Sequence, residues 1–213
     1  MNDFLQLKKL NCKNCYKCIR HCPVKSIKFS DNQANIINDE CILCGTCFVV
    51  CPQNAKQIRN DTKNVKKAIA DGKTVVASIA PAFAANFENI NIASMQNALK
   101  KLGFAMAEET AVGAELVTSE YEKIIEEGSQ SVIISSCCNS VNTLIQKYYP
   151  GAVKYLADVL SPMQVHCQKL KDEIPDCYTV FIGPCISKKE EAEKYDGLVD
   201  TVLTFDELSE WMK

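Results

Sequence analysis

The chain has 213 residues, 47% of them hydrophobic and 23% charged, with a net charge of −2. These values suit one large or two modest globular domains, and they exclude disorder, collagen, coiled coil and a general basic footprint for nucleic acid. The unusual number is thirteen cysteines against two histidines, which in a reducing compartment points to metal or redox chemistry rather than disulfides.

The first ten residues show no basic region followed by an apolar one, so no signal peptide is expected. The longest apolar stretch, Val75–Ala85, is interrupted by Ser78 and Pro81 and is well short of the ~18 residues of a membrane span. A cytoplasmic protein with neither membrane nor nucleic acid as partner is expected. Cys12, Cys15, Cys18 and Cys22 precede Pro23, and Cys41, Cys44, Cys47 and Cys51 precede Pro52. Both runs read C-x2-C-x2-C-x3-C-P, and residues 12–28 and 41–58 form an internal repeat. The spacing is that of a bacterial-type ligand run for 4Fe–4S clusters. Three thiolates at two-residue intervals on a curled loop reach three corners of one cuboid, and the fourth points to the other cuboid. The expected ligand sets are therefore Cys12, Cys15, Cys18 with Cys51, and Cys41, Cys44, Cys47 with Cys22. Zinc sites instead use well-separated C-x2-C pairs. Gly45 suits a loop whose amides approach cluster sulfurs closely, and His21 is expected to face solvent. Residues 1–60 carry nine Lys/Arg and four Asp/Glu, a net of +5, whereas the remainder carries a net of −7. The boundary is placed there: a two-cluster unit over 1–60, a helical connector over 61–72, and a second domain over 73–213.

Beyond residue 73 strand and helix signals alternate. Lys73–Ile79, Ser131–Ser135, Tyr178–Ile182 and Val199–Phe205 are branched runs that predict strands. Ser94–Leu102, Val112–Glu127, Asn139–Tyr149, Pro162–Asp172, Lys188–Tyr195 and Asp206–Lys213 predict helices. Gly103 and Gly128 act as stops, and Ser187–Glu190 reads as a capping box. Such alternation implies parallel βαβ units. Ala80–Pro81, Cys137–Cys138 and Cys185 each follow a predicted strand, where open α/β sheets place ligands. Cys167, Cys177 and His166 read as core or surface residues rather than ligands.

The segments Ser135-Ser136-Cys137-Cys138-Asn139, Lys147-Tyr148-Tyr149-Pro150, Ser161-Pro162-x-Gln164 and Gly183-Pro184-Cys185-Ile186-Ser187-Lys188-Lys189-Glu190-Glu191 resemble the catalytic domain of the iron-only (FeFe) hydrogenases. Ala80-Pro81 and Thr110–Glu115 match the same pattern, and a dicluster ferredoxin unit upstream is typical of that family. The resemblance covers nearly the whole chain. It implies an α+β ferredoxin-like dicluster unit followed by an α/β domain with a mainly parallel sheet. It also implies an H-cluster, a 4Fe–4S cluster joined to a di-iron unit and held by four cysteines. By motif, Cys138 and Cys185 are similar to its first two ligands, and Ala80 and Pro81 line the cofactor. Cys137 resembles the proton-shuttling thiol, and Lys188 the residue that hydrogen-bonds a cyanide. Glu120 and Glu191 resemble acidic residues on or near the proton path, although these three charged residues also fit a solvated helix face. The chain departs from the pattern at Ser136 (Thr in the family), Asn139 (Pro) and Gly183 (Met). The family's third and fourth ligands lie in a downstream C-x3-C motif that does not follow Cys185 in this chain. The H-cluster is therefore expected only where those ligands are present, and the chain alone is expected to be inactive as a hydrogenase. It reads as the N-terminal portion of a hydrogenase-like protein that exchanges electrons with a redox donor or acceptor protein. The altered motifs favour the family's sensory branch. The alternatives are a redox or hydrogen sensor with a downstream signalling domain, and a non-catalytic ferredoxin fusion.

Overall fold

The computed structural model describes residues 4–128 and 130–213. The cysteine-rich half contains β1 (Leu5–Leu7), α1 (Lys17–His21), β2 (Ile27–Ser30), β3 (Gln33–Ile36), α2 (Thr46–Val49) and β4 (Lys56–Ile58). β1 pairs antiparallel with β4, placing Leu5 opposite Ile58, and so ties the two ends of this half together. β2 and β3 form a hairpin turned by Asp31 and Asn32, both with positive φ, which these short polar residues tolerate. Its apolar core is thin: Phe4, Leu5, Ile27, Ala34 and Leu43 share it with buried Cys18, Cys22, Cys41 and Cys47.

The connector forms α3 (Thr62–Ala70), whose Val65 and Ala68 are buried against the sheet that follows. The second half contains β5 (Val75–Ile79), α4 (Phe83–Asn86), α5 (Ile92–Lys101), β6 (Met106–Glu109), α6 (Ala111–Glu127), α7 (Asn139–Tyr148), α8 (Pro162–Glu173), β7 (Tyr178–Gly183), α9 (Ser187–Lys194), β8 (Thr201–Thr204) and α10 (Phe205–Trp211). Its four strands are parallel in the order β6-β5-β7-β8. Period-two alternation sorts the side chains of these strands between two layers. Val75, Ala77, Ile79, Val180, Ile182 and Leu203 meet α3, α5 and α10 on one face, while Phe181 and Val202 meet Met163 and Cys167 on the other.

Two expectations require correction. Ser131–Ser135 is not a strand of the sheet. Ile134 makes a single parallel bridge to Leu156, and Val132 is exposed. Branched residues favour extended backbone without specifying its partner, and here the partner is an equally short segment outside the sheet. The Ser187–Glu190 capping box does not form either. Ile186 is the N-cap of α9, and the Ser187 hydroxyl lies 3.0 Å from Cys185 Sγ. A capping box does close α10, where Thr204 and Glu207 satisfy each other's backbone amides. One sheet strand, β6, has a sequence, Met-Ala-Glu-Glu, that carries no strand signal. It is held by pairing with β5.

Candidate iron–sulfur centres and the strand-edge site

Each cysteine run curls through the same pair of left-handed residues. Asn14 and Tyr16 have positive φ in the first run, and Leu43 and Gly45 occupy the matching positions in the second. Gly45 adopts that conformation freely and Asn14 tolerates it, so two strained residues, Tyr16 and Leu43, are kept where the thiols must converge. The structure brings together Cys12, Cys15, Cys18 and Cys51 around one cavity. Cys22, Cys41, Cys44 and Cys47 line a second. Donors already face the sulfurs: the Leu43 N–H points at Cys41 Sγ at 3.4 Å, and the Ala55 N–H at Cys51 Sγ at 3.3 Å.

Burial raises the Cys18, Cys41 and Cys47 thiols above their ordinary range, Cys47 to about 12. The buried Lys56, whose Nζ donates to Ala34 O at 2.7 Å, counters that effect at Cys18 and Cys47. At Cys12 burial also raises the pKa, but backbone hydrogen bonds at Ala34 and Asn14, with the Lys56 charge, outweigh it and leave the thiol lowered. Iron taken up here must displace protons from the buried thiols, so loading releases acid. Four thiols per cavity, with amides facing the sulfurs, fit a 4Fe–4S cluster in each. Lys56 was not singled out by the sequence, because a lysine in a basic segment carries no sign that it is buried.

At the carboxyl edge of the sheet, the Ala80 N–H donates to Ile182 O at 2.8 Å and holds Ala80–Pro81 beside the end of β7. A Cβ at Gly183 would come 2.8 Å from the Phe181 ring and 3.0 Å from Ala80 Cβ, so glycine is needed there for close approach. Cys185 lines a cleft of about 370 Å³ that also contains Cys44, Gly45 and Phe48 of the cysteine-rich half. Cys138 is exposed at the N-terminus of α7, and Cys137 beside it is half-buried. Lys188 Nζ donates to Cys137 O at 3.1 Å and to Glu191 Oε2 at 2.5 Å. Asn139 Nδ2 donates to Ser187 O at 3.1 Å, which joins the start of α7 to the start of α9. The Tyr121 hydroxyl accepts from the Ser136 N–H at 2.8 Å and gathers the Ser135–Cys137 loop. Neither Asn139 nor Tyr121 was marked by the sequence as a joining residue. The structure thus brings Cys137, Lys188 and Glu191 together. Glu120 lies on an exposed part of α6 and pairs with Lys123 at 2.7 Å. Cys167 and Cys177 are buried core residues, burial pushing the Cys167 thiol to about 12. His21 is exposed, as expected.

A second polar cavity, of about 250 Å³, lies beside this edge and is lined by Ser136, Asn142, Asp158, Gln164, Glu191 and Lys194. Asn142 Oδ1 and Gln164 Nε2 are buried there without protein partners. The opposite atoms of both amides are committed, Asn142 Nδ2 to Ser136 O and Gln164 Oε1 to the Ser161 N–H. Neither amide can flip without losing a bond, so the free donor and acceptor require solvent in the cavity.

The two halves interlock. Ile186, next to Cys185, is buried in the cysteine-rich core. Lys147 Nζ donates to Cys41 O at 2.9 Å, and the Tyr148 hydroxyl donates to Glu40 O at 2.7 Å. Lys189, fully buried, bonds Asp61 Oδ2 and Val202 O at 2.8 Å and Glu207 Oε2 at 2.9 Å.

Two four-thiol cavities joined to a parallel sheet with cysteines at its edge define an iron–sulfur protein. Residues 73–213 match the family described as the iron only hydrogenase large subunit, C-terminal domain, and residues 5–52 match the 4Fe-4S dicluster domain. The chain belongs to the iron-only hydrogenase large-subunit family and carries two 4Fe–4S clusters. It is 28% identical to the periplasmic [Fe] hydrogenase large subunit of Nitratidesulfovibrio vulgaris, over 99% of this chain and 58% of that protein. It is 24% identical to the cytosolic Fe-S cluster assembly factor NAR1 of Yarrowia lipolytica, over 78% of this chain and 39% of that protein. A component of the ion-translocating oxidoreductase complex of Methanosarcina acetivorans is 35% identical over 51 residues, 24% of this chain and 19% of that protein. The chain thus spans between a fifth and three fifths of the length of these relatives. No helix among the described residues is long and apolar enough to cross a membrane.

Proposed function

We propose that this chain is an electron-transfer protein of the hydrogenase-like type. In this reading residues 1–60 form a ferredoxin-type unit, 61–72 the connector and 73–213 a hydrogenase-like α/β domain. The observation that carries it is the crosswise sorting of eight thiols into two cavities, each drawing its fourth cysteine from the other repeat. Cys12, Cys15, Cys18 and Cys51 hold one cluster, and Cys22, Cys41, Cys44 and Cys47 the other. When bound, each cluster supplies a one-electron redox centre. The protein's own part is to exclude water, to aim amides at the sulfurs and to hold Lys56 between the two thiol sets. Cys44 and Cys185 on one cleft set the second thiol cavity against the sheet edge, where Cys138 and Cys185 serve as the H-cluster-type ligands wherever further ligands complete the set. There Lys188 orients the Cys137 loop through its carbonyl, and Glu191 holds the Lys188 ammonium. Thirteen free thiols suit a cytoplasmic setting.

Anaerobic protein is expected to contain about eight iron and about eight sulfide per chain. Cys51→Ala and Cys12→Ala are expected to abolish the same one of two electron-paramagnetic signals, and Cys22→Ala the other. Loss of the same signal in Cys51→Ala and Cys47→Ala would overturn the crosswise assignment. The match to an assembly factor over 78% of this chain favours a second reading, in which the edge site hands a cluster on. Transfer of iron from the edge to an apo-ferredoxin, with no dye-driven hydrogen evolution, would select it.

A further inference from the structure

The two cysteine runs repeat, but the residue that covers each thiol cavity does not. Five residues after the fourth cysteine of each run the chain enters a strand, β2 at Ile27 and β4 at Lys56. Ile27 lines the cavity of Cys22, Cys41, Cys44 and Cys47, and Lys56 lines the cavity of Cys12, Cys15, Cys18 and Cys51. Both residues are buried, at 5% and 3% exposure. An apolar side chain therefore closes one cavity and an ammonium-bearing one the other. Lys56 is held opposite Leu7 in the β1–β4 pair, and its Nζ donates to Ala34 O at 2.7 Å. Among the described residues Lys56 forms no ion pair, whereas the equally buried Lys189 is enclosed by Asp61 and Glu207. Burying a charge costs free energy unless an opposite charge accompanies it. The groups that face this ammonium are the thiols: its charge favours the thiolate at Cys12 and Cys18 of one set and at Cys47 of the other.

We propose that Lys56 is a built-in counter-ion that makes the two clusters unequal, so that the cluster of Cys12, Cys15, Cys18 and Cys51 takes up the first electron. This rests on the reading above that the two thiol sets hold 4Fe–4S clusters. Such a cluster with its four thiolates is an anion, and reduction adds one more negative charge. A fixed positive charge beside it stabilises the reduced form more than the oxidised form and so raises the potential. Burial keeps salt and water from screening that effect. The charge acts on both clusters, and more on the cavity it lines than on the one closed by Ile27. A single electron therefore rests at the first cavity. The second cavity, whose Cys44 shares a cleft with Cys185, fills next. Lys56 thus biases electrons away from the sheet edge. Each reduction takes one electron from an external reductant, with no bond made or broken.

The test titrates the iron-loaded chain with dithionite and mediators and follows its electron-paramagnetic signals against potential. Loss of a signal in Cys12→Ala or in Cys22→Ala assigns it to one cavity or the other. In the wild type the signal lost in Cys12→Ala is expected to appear at the higher potential. Lys56→Met keeps an unbranched side chain and removes the charge. It is expected to lower that midpoint by about a tenfold change or more in the reduction equilibrium, ~59 mV for one electron, and to move the other midpoint less. Lys56→Arg keeps the charge and should keep the wild-type midpoints. Iron and sulfide content, measured on each variant, should stay at the wild-type value. The reverse order of reduction in the wild type overturns the proposal, with no variant needed. An unchanged first midpoint in iron-loaded Lys56→Met overturns it too. So does an equal fall in iron-loaded Lys56→Arg, which would make packing rather than charge the cause. Should Lys56→Met fail to load iron, Ile27→Lys tests the same position in the other repeat. It is expected to raise the second midpoint and narrow the gap, and an unchanged gap in its iron-loaded form overturns the proposal. A preparation without iron, or with zinc in its place, sinks the cluster reading itself, and is told apart by the absence of any dithionite-reducible chromophore.

Discussion

Several residues whose charge suggests a solvated surface are buried, and they carry much of the fold. Lys189 lies in a helix of Ser, Lys, Glu and Ala, yet its ammonium is enclosed by two carboxylates and a carbonyl. Lys189→Met would leave Asp61 and Glu207 without their cation, and is expected to destabilise the loaded protein by about 3–5 kcal/mol in urea unfolding. In the α8 layer of the same half, His166 Nδ1 lies 2.7 Å from Ser78 Oγ and His166 Nε2 lies 2.8 Å from Glu108 Oε2. With Nε2–H donating to the carboxylate, the ring accepts from Ser78, whose oxygen can accept in turn from Thr110 at 2.7 Å. The His166 bond, opposed by burial and helped by Lys169, holds Glu108 below the ordinary carboxylate range. A depressed folded-state pKa contributes stability above the unfolded carboxylate pKa, and that contribution is lost as pH falls through the folded value. The wild type should therefore lose stability below about pH 4 more steeply than Glu108→Gln. The difference should stay under about 1 kcal/mol, because the carboxylate is 36% exposed and screened. Parallel acid limbs for the two proteins in a pH series of thermal unfolding would refute this.

Among the elements, α6 and α8 approach each other closely at Gly113. A Cβ at Gly113 would come 2.3 Å from Pro162 O and 2.6 Å from His166 Cβ. Helix propensity alone favours Ala over Gly by about 1 kcal/mol. Overpacking against backbone costs about 1–3 kcal/mol and should prevail, so Gly113→Ala is expected to lower the urea midpoint, whereas a rise would show that the helices can part. The contact matters for the edge site, since α6 brings Tyr121 to the Ser136 amide and α8 brings Gln164 to the polar cavity. The backbone between Ser131 and Cys137 reaches the site through these helices rather than through a place in the sheet.

For the molecule as a whole, the interlock between halves means that a residue of the α/β half stabilises the thiol cavities. Ile186 is 5% exposed within the cysteine-rich core and lies over Gly45. Ile186→Ala is expected to cost about 2–5 kcal/mol, as other Ile→Ala changes in cores do. Because iron binding and folding of the thin cysteine-rich core are linked, that loss should appear as faster iron release to a chelator. Unchanged release would mean that the halves are energetically independent. The charge asymmetry acts at the same scale, giving the chain a basic end at the first thiol cavity and an acidic body behind it.

The chemistry of the first sixty residues was legible in the sequence because ligand spacing is a property of local chain geometry. Eight cysteines at fixed intervals, with a proline after each fourth, leave few ways to arrange two cuboids, and the crosswise sorting of the thiols follows that pattern. Strands β5, β7 and β8 and all the longer helices were equally legible, since burial on a sheet face or helix face imposes its period on the residues. Pairing between distant segments leaves no such trace. β6 is a strand because β5 lies beside it, and Ser131–Ser135 is outside the sheet because it meets Tyr155–Ala157 instead. The burial of Lys56 and Lys189 and the joining of α7 to α9 through Asn139 likewise arise from residues many positions apart. A charged or amide side chain reads the same in solvent as in a buried network. Its environment is set by which partners packing brings within hydrogen-bond reach, and that is a property of the folded chain as a whole.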